Sequence, residues 1–317
     1  MSVGEHTSCQ PPWVWATLND MRTSLYLLAL LALLPACQRS SPAPTGSEAG
    51  TSGAAGAPTS GRAQAAVTVK GSDTMVILGQ RWAEDFMKKS TDAKIQVTGG
   101  GSGTGIAALI NGTTDIAMSS RPIKEAEIQK VKARNANGPK EFSVAKDGIT
   151  FYVHESNPVE ALSVEQLKAI YLGDITNWKE VGGPDKTIVL YSRENSSGTY
   201  VFVKDEVLKG ADFAPEAQTL PGTAAVVNAV SKETYGIGYG GGAYAKGIKE
   251  LKVKKTADSE AVAPTEENIK TGKYPLSRDL FFYLPGSASG PTQAFIDFAL
   301  SPEGQKIVTE VGYFPVK

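Results

Sequence analysis

An α/β fold with mainly parallel sheets is the fold class that the sequence predicts from residue 67 onward. Strand-like runs alternate there with helix-like runs, which is typical of repeated strand–helix–strand units. The composition agrees, because 317 residues with 41% hydrophobic side chains describe a globular protein of one large domain or two lobes. The formal net charge of -1 gives no indication of a nucleic-acid-binding surface.

The helix-like runs are recognised by apolar residues that return every three or four positions. In the first of them Leu78, Trp82 and Phe86 are spaced by four and share one face. The predicted strands are 67–70, 94–97, 115–118, 148–153 and 187–191, and the predicted helices are 75–89, 123–134, 164–171, 200–208 and 292–311.

The N-terminal region predicts export and a lipid anchor. A short apolar run from Leu25 to Leu34 follows Arg22, and it is too short to cross a bilayer, so it is typical of a secretory signal. The sequence Leu34-Pro35-Ala36-Cys37 that ends it resembles a bacterial lipobox, in which the cysteine is acylated and becomes the first mature residue. We therefore expect lipidation at Cys37.

The flanks of this signal complete the predicted organisation. Residues 1–20 fit no part of a signal, so we expect Met21 to be the true start and 21–36 to be the lipoprotein signal peptide. Residues 37–66 are rich in Ser, Pro, Gly, Ala and Thr and predict a flexible tether. Cys9 lies in the segment before the expected start, and Cys37 is the expected lipid acceptor. No cysteine therefore remains for a disulfide or a cysteine-based metal site.

Four loops, each following a predicted strand and opening a predicted helix, share one design of Gly, Ser, Thr and Asp residues. A helix N-terminus presents unpaired backbone N–H groups and partial positive charge, which favour an anion. Glycine allows close backbone approach, and Ser and Thr hydroxyls add short donors. The sequence therefore predicts an oxyanion site from the loops 71–74, 99–105, 118–122 and 193–199.

Ordinary helix capping is the alternative for each loop taken alone, since Ser, Thr, Asp and Asn are the preferred N-cap residues. Four such loops, two of which contain an arginine (Arg121 and Arg193), favour the anion site over coincident caps. Arg193 lies inside its motif and is the better candidate for bidentate oxyanion contact.

The sequence lacks residues that nucleotide-binding, catalytic and metal sites need. The nucleotide-binding pattern Gly-x-x-x-x-Gly-Lys-Ser/Thr does not occur. His154 is the only histidine after the predicted signal, so Ser-His catalysis and histidine-based metal sites are not predicted. We accordingly expect no catalysis, no metal and no cofactor.

At the four loops the chain resembles the phosphate-binding component of Pst-type ABC transporters, the PstS family. The resemblance spans about residues 67–317, and its motifs are specific only when taken together. Besides the loops they include Gly173-Asp174-Ile175-Thr176-Asn177-Trp178, Tyr235-Gly236-Ile237-Gly238-Tyr239 and Tyr274-Pro275-Leu276-Ser277-Arg278.

The resemblance implies a two-lobed periplasmic-binding-protein (Venus-flytrap) fold, each lobe a mostly parallel sheet flanked by helices. The chain would cross between the lobes near 149–153 and return near 237–239. This places 67–149 and 240–317 in lobe I and 150–239 in lobe II. Ligand between the lobes would then drive a hinge closure.

The resemblance also implies the ligand and its contacts. Phosphate would be captured, without catalysis, for the permease subunits of an ABC importer by an exported, lipid-anchored and monomeric protein. The candidate phosphate-binding residues, carried over by motif, are Ser72, Asp73, Thr74, Ser102, Gly103, Thr104, Ser120, Arg121, Arg193, Ser197, Gly198 and Thr199.

One position departs from the family pattern. Better-known members carry an aspartate at the position of Ser120, where a carboxylate accepts the proton that phosphate keeps and sulfate lacks. Here Asp73 or Glu194 must take that role, and Asp73 could equally be an N-cap. Three rival functions stay open at this point: a binding protein for sulfate or molybdate, a secreted phosphatase-like enzyme, and a sensor lipoprotein.

Overall fold

The computed structural model describes residues 65–91 and 93–316. The predicted leader (1–20), the signal peptide (21–36), the lipidation site Cys37 and nearly all of the predicted tether (37–66) lie outside these residues. The first strand begins at Ala65 rather than at residue 67. Within the described part of the chain, no helix is long and apolar enough to span a bilayer.

The secondary structure alternates strands and helices along most of the chain. The strands are β1 Ala65–Gly71, β2 Ala93–Thr98, β3 Ile116–Ser119, β4 Lys140–Val153, β5 Ala161–Ser163, β6 Val189–Arg193, β7 Gln218–Leu220, β8 Gly236–Gly241, β9 Lys249–Glu250, β10 Lys252–Lys254, β11 Ala261–Val262 and β12 Ser277–Leu284. The helices are α1 Val76–Lys89, α2 Ser102–Asn111, α3 Glu125–Lys132, α4 Val164–Leu172, α5 Gly198–Glu206, α6 Gly222–Val230, α7 Glu266–Lys270, α8 Gly290–Leu300 and α9 Pro302–Val311.

Parallel pairs lie at the two ends of the main sheet, and antiparallel pairs lie at its centre. Its order is β2-β1-β3-β12-β4-β8-β6-β7, with β9 added beside β4. β1 pairs in parallel with β2 and β3, and β6 pairs in parallel with β7 and β8. β12 and β4 run antiparallel to their neighbours. The main sheet is therefore parallel toward both of its ends and antiparallel at its centre, where β12 and β4 lie.

Two predicted elements differ from the observed ones for local reasons. The predicted helix 292–311 is two helices, because Ser301 ends α8 and caps α9 by accepting the N–H of Gly304, and Pro302 occupies the first turn of α9. The predicted strand 148–153 is only the second half of β4, whose first half begins with the exposed Lys140 and Glu141.

Two large hydrophobic cores lie on either side of the sheet centre. The first core is built around Trp82 and Phe282, whose rings meet edge to face at 5.5 Å. The second is built around Tyr171 and Tyr239, which make the same kind of contact at 5.5 Å. We call the elements packed on these cores the first lobe and the second lobe.

Two neighbouring strands connect the cores. β4 pairs with β12 through residues 140–148 and with β8 through residues 149–153. Its Val144 is buried in the first core and its Phe151 in the second. β12 starts at Ser277 opposite Gly148, directly after Leu276 of the second core. Both crossings lie side by side, which is the arrangement of a hinge.

The second crossing differs from the predicted one. The prediction placed all of 240–317 in lobe I, whereas residues 251–276 supply side chains to the second core, among them Leu251, Val253 and Tyr274. β10 also pairs with β5 of the second lobe. The final return of the chain to the first core therefore falls at Leu276–Ser277, although Ala243, just after β8, already packs against the first core. Sequence reasoning missed it because β12 was not predicted.

Candidate functional site

The first loop, between β1 and α1, places two buried hydroxyls at the edge of the first lobe. Ser72 donates its backbone N–H to Met118 O (2.9 Å) and its hydroxyl to Ser120 Oγ (2.9 Å). Thr74 is also buried, and its hydroxyl lies 3.0 Å from Thr199 Oγ1 of the second lobe. This loop therefore already touches the opposite lobe, and we call the surface where the lobes meet here the cleft.

Asp73 in the same loop does not cap a helix. Its Oδ1 accepts the backbone N–H of Gly100 (2.8 Å), and its Oδ2 pairs with Arg193 Nη2 (3.1 Å). The turn that it opens and helix α1 both begin without a side-chain cap. Of the two roles that the sequence left open for Asp73, the N-cap is not the one that its contacts show.

The second loop leads into α2 and approaches both the third and the fourth loop. Ser102 is fully buried, and its Oγ accepts the backbone N–H of Ser120 (3.0 Å). Gly103 donates its N–H to Ser196 O of the second lobe (2.8 Å). Thr104 lies half-buried in the same helical turn. The start of α2 is thus part of the contact between the lobes.

The third loop contributes Ser120 but not the guanidinium of Arg121. Ser120 is fully buried between the first two loops. The Arg121 guanidinium instead binds Glu127 through two hydrogen bonds (2.7 and 2.9 Å) and donates to Pro122 O (2.9 Å). Helix α3 begins only at Glu125, so this loop does not open a helix directly.

The fourth loop brings the second lobe against these hydroxyls. Ser197 caps α5, because its Oγ accepts the N–H groups of Thr199 and of the next residue, both at 3.2 Å. A Cβ placed on Gly198 would lie 2.6 Å from Ser120 Oγ, so the two lobes approach each other here as closely as glycine permits. The loop is both a helix cap and part of the cleft.

Arg193, at the end of β6, is a buried cation surrounded by oxygen atoms. Only 1% of its surface is exposed, and it donates to Thr223 Oγ1 (2.8 Å) as well as to Asp73. Glu194 accepts from its Nε (3.3 Å) and Nη2 (3.2 Å). Although burial alone would raise it, the pKa of Glu194 stays below its ordinary value because Arg193 and the N–H of Gly222 bind the carboxylate. Glu194 is therefore available as an ion partner of Arg193 at neutral pH.

The chemistry of this arrangement is that of hydrogen-bond donation to an anion. Each buried hydroxyl now bonds to another protein group, and each could turn its hydrogen toward a tetrahedral oxyanion instead. Among residues 65–91 and 93–316, no group of three or more His, Cys, Asp or Glu residues is placed to hold a metal ion. The buried hydroxyls belong to Ser72, Thr74, Ser102, Ser120, Ser197 and Thr199.

Sequence reasoning missed a second buried cation at the cleft. Arg278 in β12 pairs with Asp147 in β4 through two hydrogen bonds, from Nε (3.1 Å) and Nη2 (2.8 Å). Its Nη2 also donates to Thr199 Oγ1 (3.0 Å), and its Nη1 to Ser120 O (2.9 Å). Burial raises the pKa of the Asp147 carboxyl, and the guanidinium of Arg278 opposes that rise. The motif 274–278 was the available signal, although no loop chemistry marked it as a site.

Comparison with known proteins decides the family. A family model described as a PBP superfamily domain matches residues 53–303. The phosphate-binding protein PstS of Pseudomonas aeruginosa is 34% identical over 263 residues, which cover 78% of this chain and 81% of that protein. The chain belongs to the PstS family. Staphylococcus aureus PstS is 39% identical over 246 residues, covering 74% of this chain and 72% of that protein.

Solved structures of PstS-like proteins share the fold. One, from Clostridium perfringens, is described as a phosphate ABC transporter substrate-binding protein with bound phosphate; it is 33% identical, has a TM-score of 0.73, and the match covers 80% of this chain and 100% of that one. An ABC-type phosphate transport receptor from Vibrio cholerae is 32% identical with a TM-score of 0.64, covering 78% and 99%. The predicted family and the two-lobed periplasmic-binding-protein fold are confirmed.

Proposed function

We propose that the cleft binds one inorganic phosphate ion between the two lobes and that the chain delivers it to an ABC importer. The observation that supports this most is the convergence of buried hydroxyls and Arg193 from both lobes on one point. The phosphate-binding names of the relatives agree with it. The proposed contacts are Ser72, Asp73, Thr74, Ser102, Gly103, Thr104, Ser120, Arg193, Ser197, Gly198 and Thr199. Arg121 is left out because Glu127 holds its guanidinium.

The number of donors is sufficient for tight binding. A hydrogen bond to a charged group contributes about 1.5–3 kcal/mol, and micromolar affinity corresponds to about 8 kcal/mol. Four or five of the hydroxyl and guanidinium donors at the cleft therefore suffice. Each also loses a present partner within the protein, such as the bond between Thr74 and Thr199, so the net gain is smaller than the sum.

Ligand-dependent thermal unfolding tests this function. A ligand present at about 1,000 times its Kd stabilises the folded chain by about 4 kcal/mol. For a domain of this size each kcal/mol raises Tm by about 2–4 °C. Phosphate and arsenate at about 1 mM should therefore raise Tm by roughly 8–16 °C if Kd is micromolar, and sulfate should leave it unchanged. A chain that sulfate stabilises as strongly as phosphate is instead a binding protein for another oxyanion.

We propose that Asp73 distinguishes phosphate from sulfate by accepting a hydrogen bond from the proton that phosphate retains. Its carboxylate lies at the cleft beside Thr74, is 18% exposed and binds Arg193. A carboxylate facing the ligand accepts a hydrogen bond from a protonated oxyanion and repels one without a proton.

Replacing Asp73 with Asn should lower the preference for phosphate over sulfate by at least about tenfold, because the repulsion of sulfate is lost. The preference is the ratio of the two Kd values measured by titration calorimetry. Asp297→Asn on the exposed face of α8 is the matched control. If only Glu194→Gln changes the ratio, Glu194 and not Asp73 accepts the hydrogen bond from the phosphate proton.

We further propose that the chain is exported, acylated at Cys37 and tethered to a membrane through residues 37–66, with Met21 as its start. It acts there as a monomer with the permease subunits of the importer. The support is the lipobox-like sequence before Cys37 and the transport role that the relatives' names state.

Cys37→Ser should abolish incorporation of a radioactive fatty acid and release the chain from the membrane fraction of the producing bacterium. Cys9→Ser is the matched control, because Cys9 lies in the segment that we expect not to be translated. A Cys37→Ser chain that stays labelled and sediments with the membrane contradicts the anchor.

We propose that closure is a rotation about the paired crossings at Gly148–Ile149 and Leu276–Ser277. Ile149 N donates to Leu276 O (2.8 Å), so the two crossing segments are hydrogen-bonded to each other. Phosphate bridging the lobes would stabilise the closed state by its contacts on both sides. The proposed first lobe is 67–148 with 277–317, and the second is 149–276.

A further inference from the structure

Arg278 and Asp147 lie where the hinge meets the cleft. The two residues face each other across the β12–β4 ladder, one position before the crossing at Gly148. Arg278 is 8% exposed and Asp147 is 1% exposed. A buried arginine at such a place needs acceptors for its five N–H groups, and those it uses show which way the guanidinium points.

The Arg278 guanidinium forms hydrogen bonds with one carboxylate and with an acceptor in each lobe. Asp147 Oδ2 accepts from Nε and Nη2, which fixes one edge of the group. Nη1 donates to Ser120 O in the first lobe, and Nη2 donates also to Thr199 Oγ1 in the second. The second edge of the guanidinium therefore faces the cleft.

Three donors form a small triangle at this point. Thr74 Oγ1 and Thr199 Oγ1 are 3.0 Å apart, and Arg278 Nη2 lies 3.4 Å from the first and 3.0 Å from the second. In the present state the hydroxyls accept from Nη2 and one of them donates to the other. An oxyanion oxygen seated against the triangle would let both hydroxyls turn to donate and would accept from the guanidinium as well.

The charges around the two cleft arginines are unequal. Arg193 is paired with two carboxylates, Asp73 and Glu194. Arg278 is paired with Asp147 alone. The two arginines together face three carboxylates, and without Arg278 one cation would face all three, which disfavours the binding of an anion. Of the two cleft arginines, Arg278 has fewer carboxylate partners.

We infer that Arg278 is a direct contact of the bound oxyanion and that Asp147 is the positioning residue which holds its guanidinium at the cleft. This rests on the proposed binding of phosphate between the lobes. It gives the segment 274–278 a function and joins the ligand to the hinge, because the residue that touches the anion lies next to both crossings.

Phosphate titrations of Arg278 variants test the inference. Arg278→Gln should raise Kd by about 50-fold or more, because a charge-assisted contact is lost. Arg278→Lys keeps the charge and should recover part of the affinity, whereas a merely structural arginine would give no such recovery. Arg81→Gln, an arginine 46% exposed on α1, should bind as the unmodified chain does. Equal Kd values for Arg278→Gln and Arg81→Gln overturn the inference.

A crystal structure of the unmodified chain with phosphate keeps the test independent of how the variants fold. A phosphate oxygen within about 3.2 Å of Arg278 Nη1 or Nη2 is expected. If phosphate occupies the cleft while the guanidinium bonds only to Asp147, Ser120 and the two threonines, Arg278 is not a ligand contact and the proposed function still stands. If the unmodified chain binds no phosphate, the proposed function fails, and the inference that rests on it fails too.

Discussion

Replacing Arg193 with glutamine should weaken phosphate binding by at least about 100-fold. The guanidinium can give an oxyanion two charge-assisted hydrogen bonds, each worth about 1.5–3 kcal/mol, and each 1.4 kcal/mol is tenfold in Kd. The loss is larger than that of the bonds alone, because Asp73 and Glu194 would remain at the cleft without their cation and repel the anion.

The fold of the Arg193→Gln chain should survive, since the carboxylates that it leaves unpaired are 18% and 28% exposed and can be hydrated. Titration calorimetry measures Kd, and the Tm of the ligand-free chain reports the fold. Arg81→Gln again serves as the control for loss of a positive charge. An unchanged Kd in a folded Arg193→Gln chain would show that Arg193 does not contact the ligand.

Replacing Gly198 with valine should abolish phosphate binding with little effect on the ligand-free chain. The Cβ alone would lie 2.6 Å from Ser120 Oγ, well inside the contact distance of the two atoms. Gly198 belongs to the second lobe and Ser120 to the first, so the chain can relieve the overlap by keeping the lobes apart. Closure is then blocked, and the ligand loses the contacts of one lobe.

The measurement for Gly198→Val is the phosphate-induced change in Tm, which should fall to nearly zero. Ala107→Val adds similar bulk to an exposed position of α2, outside the cleft, and should keep the full change. A Gly198→Val chain that phosphate stabilises normally would mean that the ligand does not require the closed arrangement of the lobes.

Three of the four loops at the candidate site could be predicted from the local sequence. The loops at Ser72, Ser102 and Ser197 could be read from a few consecutive residues, because a strand end followed by a helix start needs small and polar side chains there. Family resemblance then supplied the ligand and the two-lobed fold, which strand–helix alternation alone does not specify. The capping alternative was correct for Ser197, which does cap α5, and a cap and a ligand contact are compatible roles.

The rest of the candidate site could not be predicted, because it depends on the pairing of strands that lie far apart in the sequence. Arg278 and Asp147 are 131 positions apart and meet only because β12 inserts antiparallel between β3 and β4. No local pattern specifies such an insertion, and the same strand decides where the chain returns to the first lobe. Arg121 shows the converse case, since a motif position suggested a ligand contact but Glu127, six residues later, binds its guanidinium.

The most direct test of the central claim is titration calorimetry of the purified chain with phosphate, arsenate and sulfate at several pH values. We predict one phosphate bound per chain with a Kd of about 1 µM or tighter, similar binding of arsenate, and no detectable binding of sulfate. Absence of phosphate binding, or sulfate binding of equal affinity, would contradict the proposal that the cleft between the lobes is a phosphate site.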